Sequence, residues 1–246
     1  MKPLSKLKLV KQLKDLGLAQ QATSPLMIHA SLREVGPIEG SAEGLLDAIV
    51  EALGPKGTLL MVLGADEAVP FDALTSPAHQ DMGILAEVFR QRKGVKVNDH
   101  AAARFAALGP LADHLLYPIP LHDYYGSGSV LEKFSQARGW VLRLGADVDT
   151  VTLTHWAEYL ADLPYKRRVR LAYQRADIGE QWIESLDDTY GIVEWSEGDY
   201  FAQIWLDYLA QGQVKLAAVG NCQAELFAAQ SFVTFAVRWL ETQIAS

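Results

Sequence analysis

His155 stands three residues before Glu158 in the stretch TVTLTHWAEYLADLP, Thr150 to Pro164. On a helix this spacing puts both side chains on one face. A histidine held by a carboxylate moves protons near neutral pH, because the imidazole titrates there and the carboxylate stabilises its charged form. Asp149 or Thr150 is expected to cap the helix through a side-chain oxygen. Pro164, which lacks a backbone N–H and crowds the residue before it, is expected to stop it. An i, i+3 His/Glu pair is equally compatible with a solvated or structural contact, so its surroundings must decide.

Other chemistries lack their residues. The sequence has no G-x-S-x-G, no G-x-G-x-x-G and no Walker A pattern; Gly126-Ser127-Gly128-Ser129 has the wrong spacing for a nucleophile elbow. The six histidines show no H-x-x-x-H or H-x-H spacing, and no metal is expected. The single cysteine, Cys222, reads as a small core residue and permits no internal disulfide, consistent with a reducing cytosol. Two further segments could hold a ligand. His29-Ala30-Ser31-Leu32 ends a buried strand in a turn whose N–H groups can face an acyl or phosphate oxygen. Gly126 to Ser129 allows close backbone approach, or is an ordinary surface loop.

These residues need a scaffold. The chain has 246 residues and is 50% hydrophobic, enough for one large core. Mean hydropathy is near zero and no apolar run approaches a membrane span, so a cytoplasmic protein without a membrane role is expected. Net charge is −8. Asp177 to Asp199 holds eight acidic residues and no Lys or Arg, while Lys166, Arg167, Arg168, Arg170 and Arg175 precede it. An acidic face disfavours nucleic acid and suits cationic partners, or simply keeps the protein soluble.

Apolar periodicity predicts a helix over Leu4 to Leu16 and a buried strand over Pro25 to Ala30. A helix capped by Ser41 and a strand over Thr58 to Leu63 follow, making a βαβ unit. Short strands flank His100. A helix from Val130 to Gln136 and a third apolar strand, Trp140 to Leu144, deliver the chain to His155. Beyond Pro164 the pattern predicts a hairpin, a helix from Gly198 to Gln211 and a strand at Lys215 to Val219. A final helix is predicted from Ala224 to Thr242, packed internally or at a dimer interface. The expected fold is α/β: a three-layer α/β/α with a central mixed, largely parallel sheet and a small C-terminal α+β elaboration. One domain is expected over 1–246, with a core to about residue 164, an acidic elaboration over 165–200 and a return to the core after it.

Four blocks, in order, resemble the aminoglycoside 3-N-acetyltransferase family. They are MIHASLREVGPIEGSAEGLLDAIVEALGPKGTLLMVL, FDALTSPAHQDMGILAEVFR, ARFAALGPLADHL and TLTHWAE. The chain departs from the family in having His100-Ala101 and Ser129-Val130 where a proline usually follows. The resemblance implies acetyl-CoA as co-substrate and a polycationic aminoglycoside as acceptor; a monomer or homodimer is expected. It implies His155 as general base with Glu158 or another carboxylate as its partner. His29, Ala30, Ser31, Leu32, Arg33, Val35, Gly36, Ser127, Gly128, Ser129 and Thr154 are then expected around the coenzyme. Glu67, Asp72, Glu184, Asp187 and Asp188 are expected around the acceptor. A same-fold enzyme for another amine, or a decayed binding protein, would share these features.

Overall fold

The computed structural model describes residues 2–21, 23–66 and 68–244. Along the chain lie α1 (Lys6–Leu16), β1 (Pro25–Ala30), α2 (Leu32–Val35), α3 (Ser41–Leu53), β2 (Thr58–Val62) and α4 (Gly83–Arg90). Next come β3 (Lys96–Val97), β4 (Phe105–Leu108), α5 (Ala112–Leu116), α6 (Val130–Gln136), β5 (Trp140–Leu144) and α7 (Leu153–Leu160). The remainder is β6 (Arg168–Arg175), β7 (Gly179–Leu186), α8 (Tyr200–Ala210), β8 (Lys215–Val219), β9 (Cys222–Ala228) and α9 (Ala229–Gln243).

The main sheet runs β3-β4-β2-β1-β5-β9-β8. Side chains alternate across it, and both faces are covered. Leu26, Ile28, Leu59, Met61, Leu142 and Leu144 pack with α1, α3 and α4. Met27, Leu60, Val141 and Phe227 pack with α5 to α9. That double burial is why β1, β2 and β5 read as unbroken apolar runs. The α/β/α layering and mixed sheet are as expected, but the parallel share is smaller. Among the described residues only the strand pairs β1–β2 and β1–β5 are parallel. The β2–β4, β3–β4, β5–β9 and β8–β9 pairs are antiparallel. Short connections force the antiparallel pairing of β3–β4 and β8–β9, and the one between β8 and β9 is only Gly220-Asn221.

Cys222 to Ala228 is the main departure from the sequence reading, which carries a helix from Ala224. The segment instead fills the open edge of β5, register-paired from Trp140↔Ala228 to Leu144↔Ala224. This places Glu225 opposite Arg143, and their side chains meet at 2.6 Å. Smaller departures are local. Gly40, at φ +78, occupies the N-cap of α3 where Ser41 was expected, and Ser41 makes no side-chain cap. Neither Asp149 nor Thr150 caps α7: its N-cap is Thr152, without a side-chain bond, and the helix leaves at Ala161, before Pro164. The missing prolines are tolerated. His100 Nδ1 accepts from the N–H groups of Ala102 and Ala103, closing the β3–β4 turn. Ser129 Oγ accepts from the Glu132 N–H and caps α6.

The 165–200 elaboration contributes the β6–β7 hairpin, β6 from the basic cluster and β7 from the acidic run, and the connection to α8. The hairpin is a separate two-stranded sheet. It is fastened back by a bridge at Phe71↔Arg175, with the Phe71 N–H donating to Gln174 O at 2.7 Å. Tyr159 of α7 adds a second tie, accepting from the Leu186 N–H and donating to Asp123. α9 packs internally through Phe232, Ala236 and Leu240.

Candidate active site

The turn after β5 sets the position of α7. Arg143, buried beneath the sheet edge, donates to Ala146 O at 3.1 Å and Asp147 O at 2.6 Å. Its guanidinium lies 4.0 Å from the Trp205 ring, and Glu225 balances its charge. The loop so held turns the chain into α7, whose first turn carries His155.

His155 Nδ1 meets Glu158 Oε2 at 2.9 Å, and Glu158 is 1% exposed. The other carboxylate oxygen, Oε1, accepts from the Tyr200 hydroxyl. The imidazole is sandwiched. Tyr125 stacks on it at 4.9 Å with 8° between the planes, and Phe201 lies tilted at 4.9 Å. Burial acts against protonating His155. The hydrogen bond and charge of Glu158, with the charge of Asp188 adding, outweigh it, so the pKa is raised above the ordinary histidine value. With Nδ1 engaged, Nε2 is the nitrogen left for an incoming group.

Two cavities meet at this histidine, sharing Asp149, His155 and Phe201. The first, about 480 Å³, is walled by the segment between β7 and α8. Asp149, Asp188, Glu194 and Asp199 line it, as do Tyr190 and Trp195, and no Lys or Arg does. The second, about 490 Å³, opens at the C-terminal ends of the parallel strands β1, β2 and β5. Open α/β sheets bind ligands at that edge, where the loops diverge. Ile28 to Ser31, Met61, Val62 and Met82 line it, together with Asp81, Asp147 and Asp149. His29 has a buried Nε2 with no partner among the described residues. Burial, with the charge of Arg143, pushes the His29 pKa down to about 3, so its imidazole is neutral. Among the described residues no group of three or more potential ligands gathers to hold a metal, and no helix is long and apolar enough to cross a membrane.

The expected site residues divide. His29, Ala30 and Ser31 line the second cavity; Leu32, Arg33, Val35 and Gly36 do not. Arg33 points to solvent beside Glu34, and Gly36 packs where a Cβ would stand 2.2 Å from Asn221 Nδ2. Ser127, Gly128 and Ser129 lie outside both cavities. Glu132 accepts from the Gly128 N–H, and Ser129 caps α6. Thr154 is fully buried, and Thr152 lines the cavity in its place. Asp188 is in the acidic cavity, whereas Asp187 is turned inward, accepting from the N–H groups of Thr189 and Tyr190. Glu184 sits on the exposed hairpin face beside Arg170, and Asp72 caps its own turn at Leu74 and Thr75. Glu67 lies outside the described residues. The sequence reading passed over Glu194, Asp199, Tyr200, Phe201 and Tyr125. The acidic run contained the first two, but nothing in it ranked them above Asp187.

The model of the aminoglycoside 3-N-acetyltransferase family matches residues 27–241. Aminoglycoside N(3)-acetyltransferase III of Pseudomonas aeruginosa is 35% identical over 245 residues, covering 92% of this chain and 90% of its own. Aminoglycoside N(3)-acetyltransferase VIII of Streptomyces fradiae is 32% identical, covering 98% and 93%. The solved structure of AAC-IIIb in its binary complex with CoASH superposes with a TM-score of 0.92 at 34% identity, covering 98% and 97%. That of AAC-VIa bound to sisomicin gives 0.88 at 34% identity, covering 98% of each chain. A match across almost the whole sequence, with relatives at about a third identity along nearly their full lengths, decides the matter: this chain belongs to the aminoglycoside 3-N-acetyltransferase family and is an acetyl-transferring enzyme.

Proposed function

We propose that the protein transfers the acetyl group of acetyl-CoA to the 3-amino group of a 2-deoxystreptamine aminoglycoside, conferring resistance, with His155 as general base. The observation that carries this reading is the convergence on one histidine of two cavities, one walled by the acidic segment between β7 and α8 and one at the C-terminal ends of the parallel strands. The acidic cavity suits a polycation: each ammonium finds a carboxylate, and Tyr190 and Trp195 offer flat faces to sugar rings. We assign the second cavity to the donor and the first to the acceptor; relatives solved with CoASH and with sisomicin support the presence of both kinds of site. We take the whole chain as one domain, since β8 and β9 return to the main sheet after the acidic stretch.

The residues then divide the work. Asp188, Asp149, Glu194 and Asp199 attract and orient the acceptor. His155 Nε2 takes a proton from the attacking amine as the N–C bond forms at the thioester carbonyl. Glu158, bonded to Nδ1, fixes the tautomer and stabilises the imidazolium. As the C–S bond breaks, the same proton is available to the departing thiolate. General-base assistance of this kind contributes on the order of 10²–10⁴-fold. Holding the two reactants in adjoining cavities contributes more, by replacing an encounter with a preset geometry.

The test is free-thiol release with acetyl-CoA and gentamicin, apramycin or spermidine. His155→Ala should lose turnover by at least about 10²-fold while CoA binding persists. Near-normal turnover would remove His155 as the base. Turnover of spermidine but of neither aminoglycoside would move the substrate to another amine class.

A further inference from the structure

Tyr200 opens α8 and is buried between the acidic cavity and the His155/Glu158 pair. Its hydroxyl makes two hydrogen bonds of opposite sense. It donates to Glu158 Oε1, the oxygen His155 does not use. It accepts, at 3.0 Å, from the N–H of Ile192. Ile192 lies within the segment that brings Asp188, Tyr190, Glu194 and Asp199 to the acceptor. Gly191 makes room: a Cβ there would stand 2.5 Å from Tyr200 Oη, and its φ of +78° suits glycine. Burial and the neighbouring Glu158 push the phenol pKa far above its usual range, so the group is a permanent donor.

We propose that Tyr200 is a positioning residue that couples acceptor binding to proton transfer: one hydroxyl aims the Glu158 carboxylate at His155 and ties it to the backbone carrying the acceptor-binding side chains. The proposal rests on the reading of His155 as the base. Glu158 has no solvent to satisfy it, so each oxygen depends on its protein partner. Without the Tyr200 hydroxyl, Oε1 loses that donor and its charge is left less stabilised, while the bond between Oε2 and His155 Nδ1 remains. The Ile192 N–H loses its acceptor at the same moment, which loosens the wall of the acidic cavity. Turnover and acceptor affinity should therefore fall together. Donor affinity should not, because Tyr200 does not line the second cavity.

The pH profile separates this role from mere structural support. The charges facing the pair are Asp188 from the β7–α8 segment, Asp149 from the turn before α7, Asp199 beside Tyr200 and Lys166 ahead of β6. Tyr200→Phe changes none of them. Removing the donor from Oε1 leaves the buried negative charge less stabilised, so the pair holds its shared proton more tightly. The acid limb of kcat/KM then moves to higher pH. Loss of the pair's geometry does the opposite: His155 without Glu158 is left with burial, which lowers its pKa.

The experiment compares Tyr200→Phe, Glu158→Gln, the double variant and His155→Ala in thiol-release kinetics across pH, with CoA binding as a check on folding. Tyr200→Phe should lower kcat on the order of 10-fold, the scale of one lost hydrogen bond to a charged group. It should raise the aminoglycoside KM, leave the acetyl-CoA KM within about twofold, and shift the acid limb upward. In the Glu158→Gln background the same change should cost much less, because the two groups act as a unit. Gly191→Ala, which crowds the hydroxyl without removing it, should shift the limb in the same direction. An unchanged kcat and limb in Tyr200→Phe, or a limb that moves to lower pH, overturns the proposal. An active His155→Ala enzyme overturns the base assignment beneath it, and the two failures are thus told apart.

Discussion

Glu158→Gln removes one buried charge and keeps the side chain's size. In the native protein the carboxylate lies 2.9 Å from His155 Nδ1 and is 1% exposed. An opposite charge at that range, away from water, shifts a pKa by about 1–3 units. The variant keeps the burial that disfavours the charged ring, opposed by Asp188. Its histidine pKa should therefore fall from above the ordinary value to below it. The base works as neutral imidazole, so native kcat/KM climbs with pH along a limb above about pH 6.5. In Glu158→Gln that limb should move to lower pH. The plateau should drop on the order of 10-fold or more, because a weaker and less firmly aimed imidazole removes the proton less well. Stability carries the same signature. A raised folded-state pKa contributes stability that is fully present below the unfolded value and lost as pH rises through the folded one. The native melting temperature should fall as pH rises across that window, and the variant, with its histidine pKa below the unfolded value, should show the opposite slope. Thiol-release kinetics and thermal melts over about pH 5–9 test both. A limb in the same place in both proteins would refute the electrostatic reasoning.

Asp188→Asn should raise the aminoglycoside KM and leave the acetyl-CoA KM unchanged. Asp187→Asn should act on stability, since Asp187 is buried and accepts from two backbone N–H groups. Its cost is about 1.5–3 kcal/mol in a urea titration; a selective effect on KM would contradict that division. Glu225→Gln strips the partner from Arg143, which is 1% exposed, and should destabilise by about 3 kcal/mol. It should also slow turnover, because Arg143 holds the carbonyls of Ala146 and Asp147 ahead of α7.

Much of the architecture was legible in advance because it depends on local periodicity. β1, β2 and β5 are runs of apolar residues long enough to be strands and too short for helices. Gly17 at φ +115 ends α1, and a short side chain caps α6. The strand β9 was not legible, because ELFAAQSFVTFAVRWL carries apolar residues that satisfy a helix as well as a strand. The vacant edge of β5, far back in sequence, decides between them.

The candidate site divides along the same line. Residue type and i, i+3 spacing determined that His155 and Glu158 could form a proton-transfer pair, since a helix brings such neighbours together wherever it sits. The charge run determined that some carboxylates would gather on one segment. Only the tertiary structure decided which of them face the cavity, sending Asp188 outward and Asp187 inward. It alone brought Tyr200 to the free oxygen of Glu158, closed Tyr125 and Phe201 around the imidazole, and joined two cavities at His155. Each of these contacts spans loops whose direction no local pattern encodes, and packing fixes them only once the hairpin and α8 have docked against the sheet.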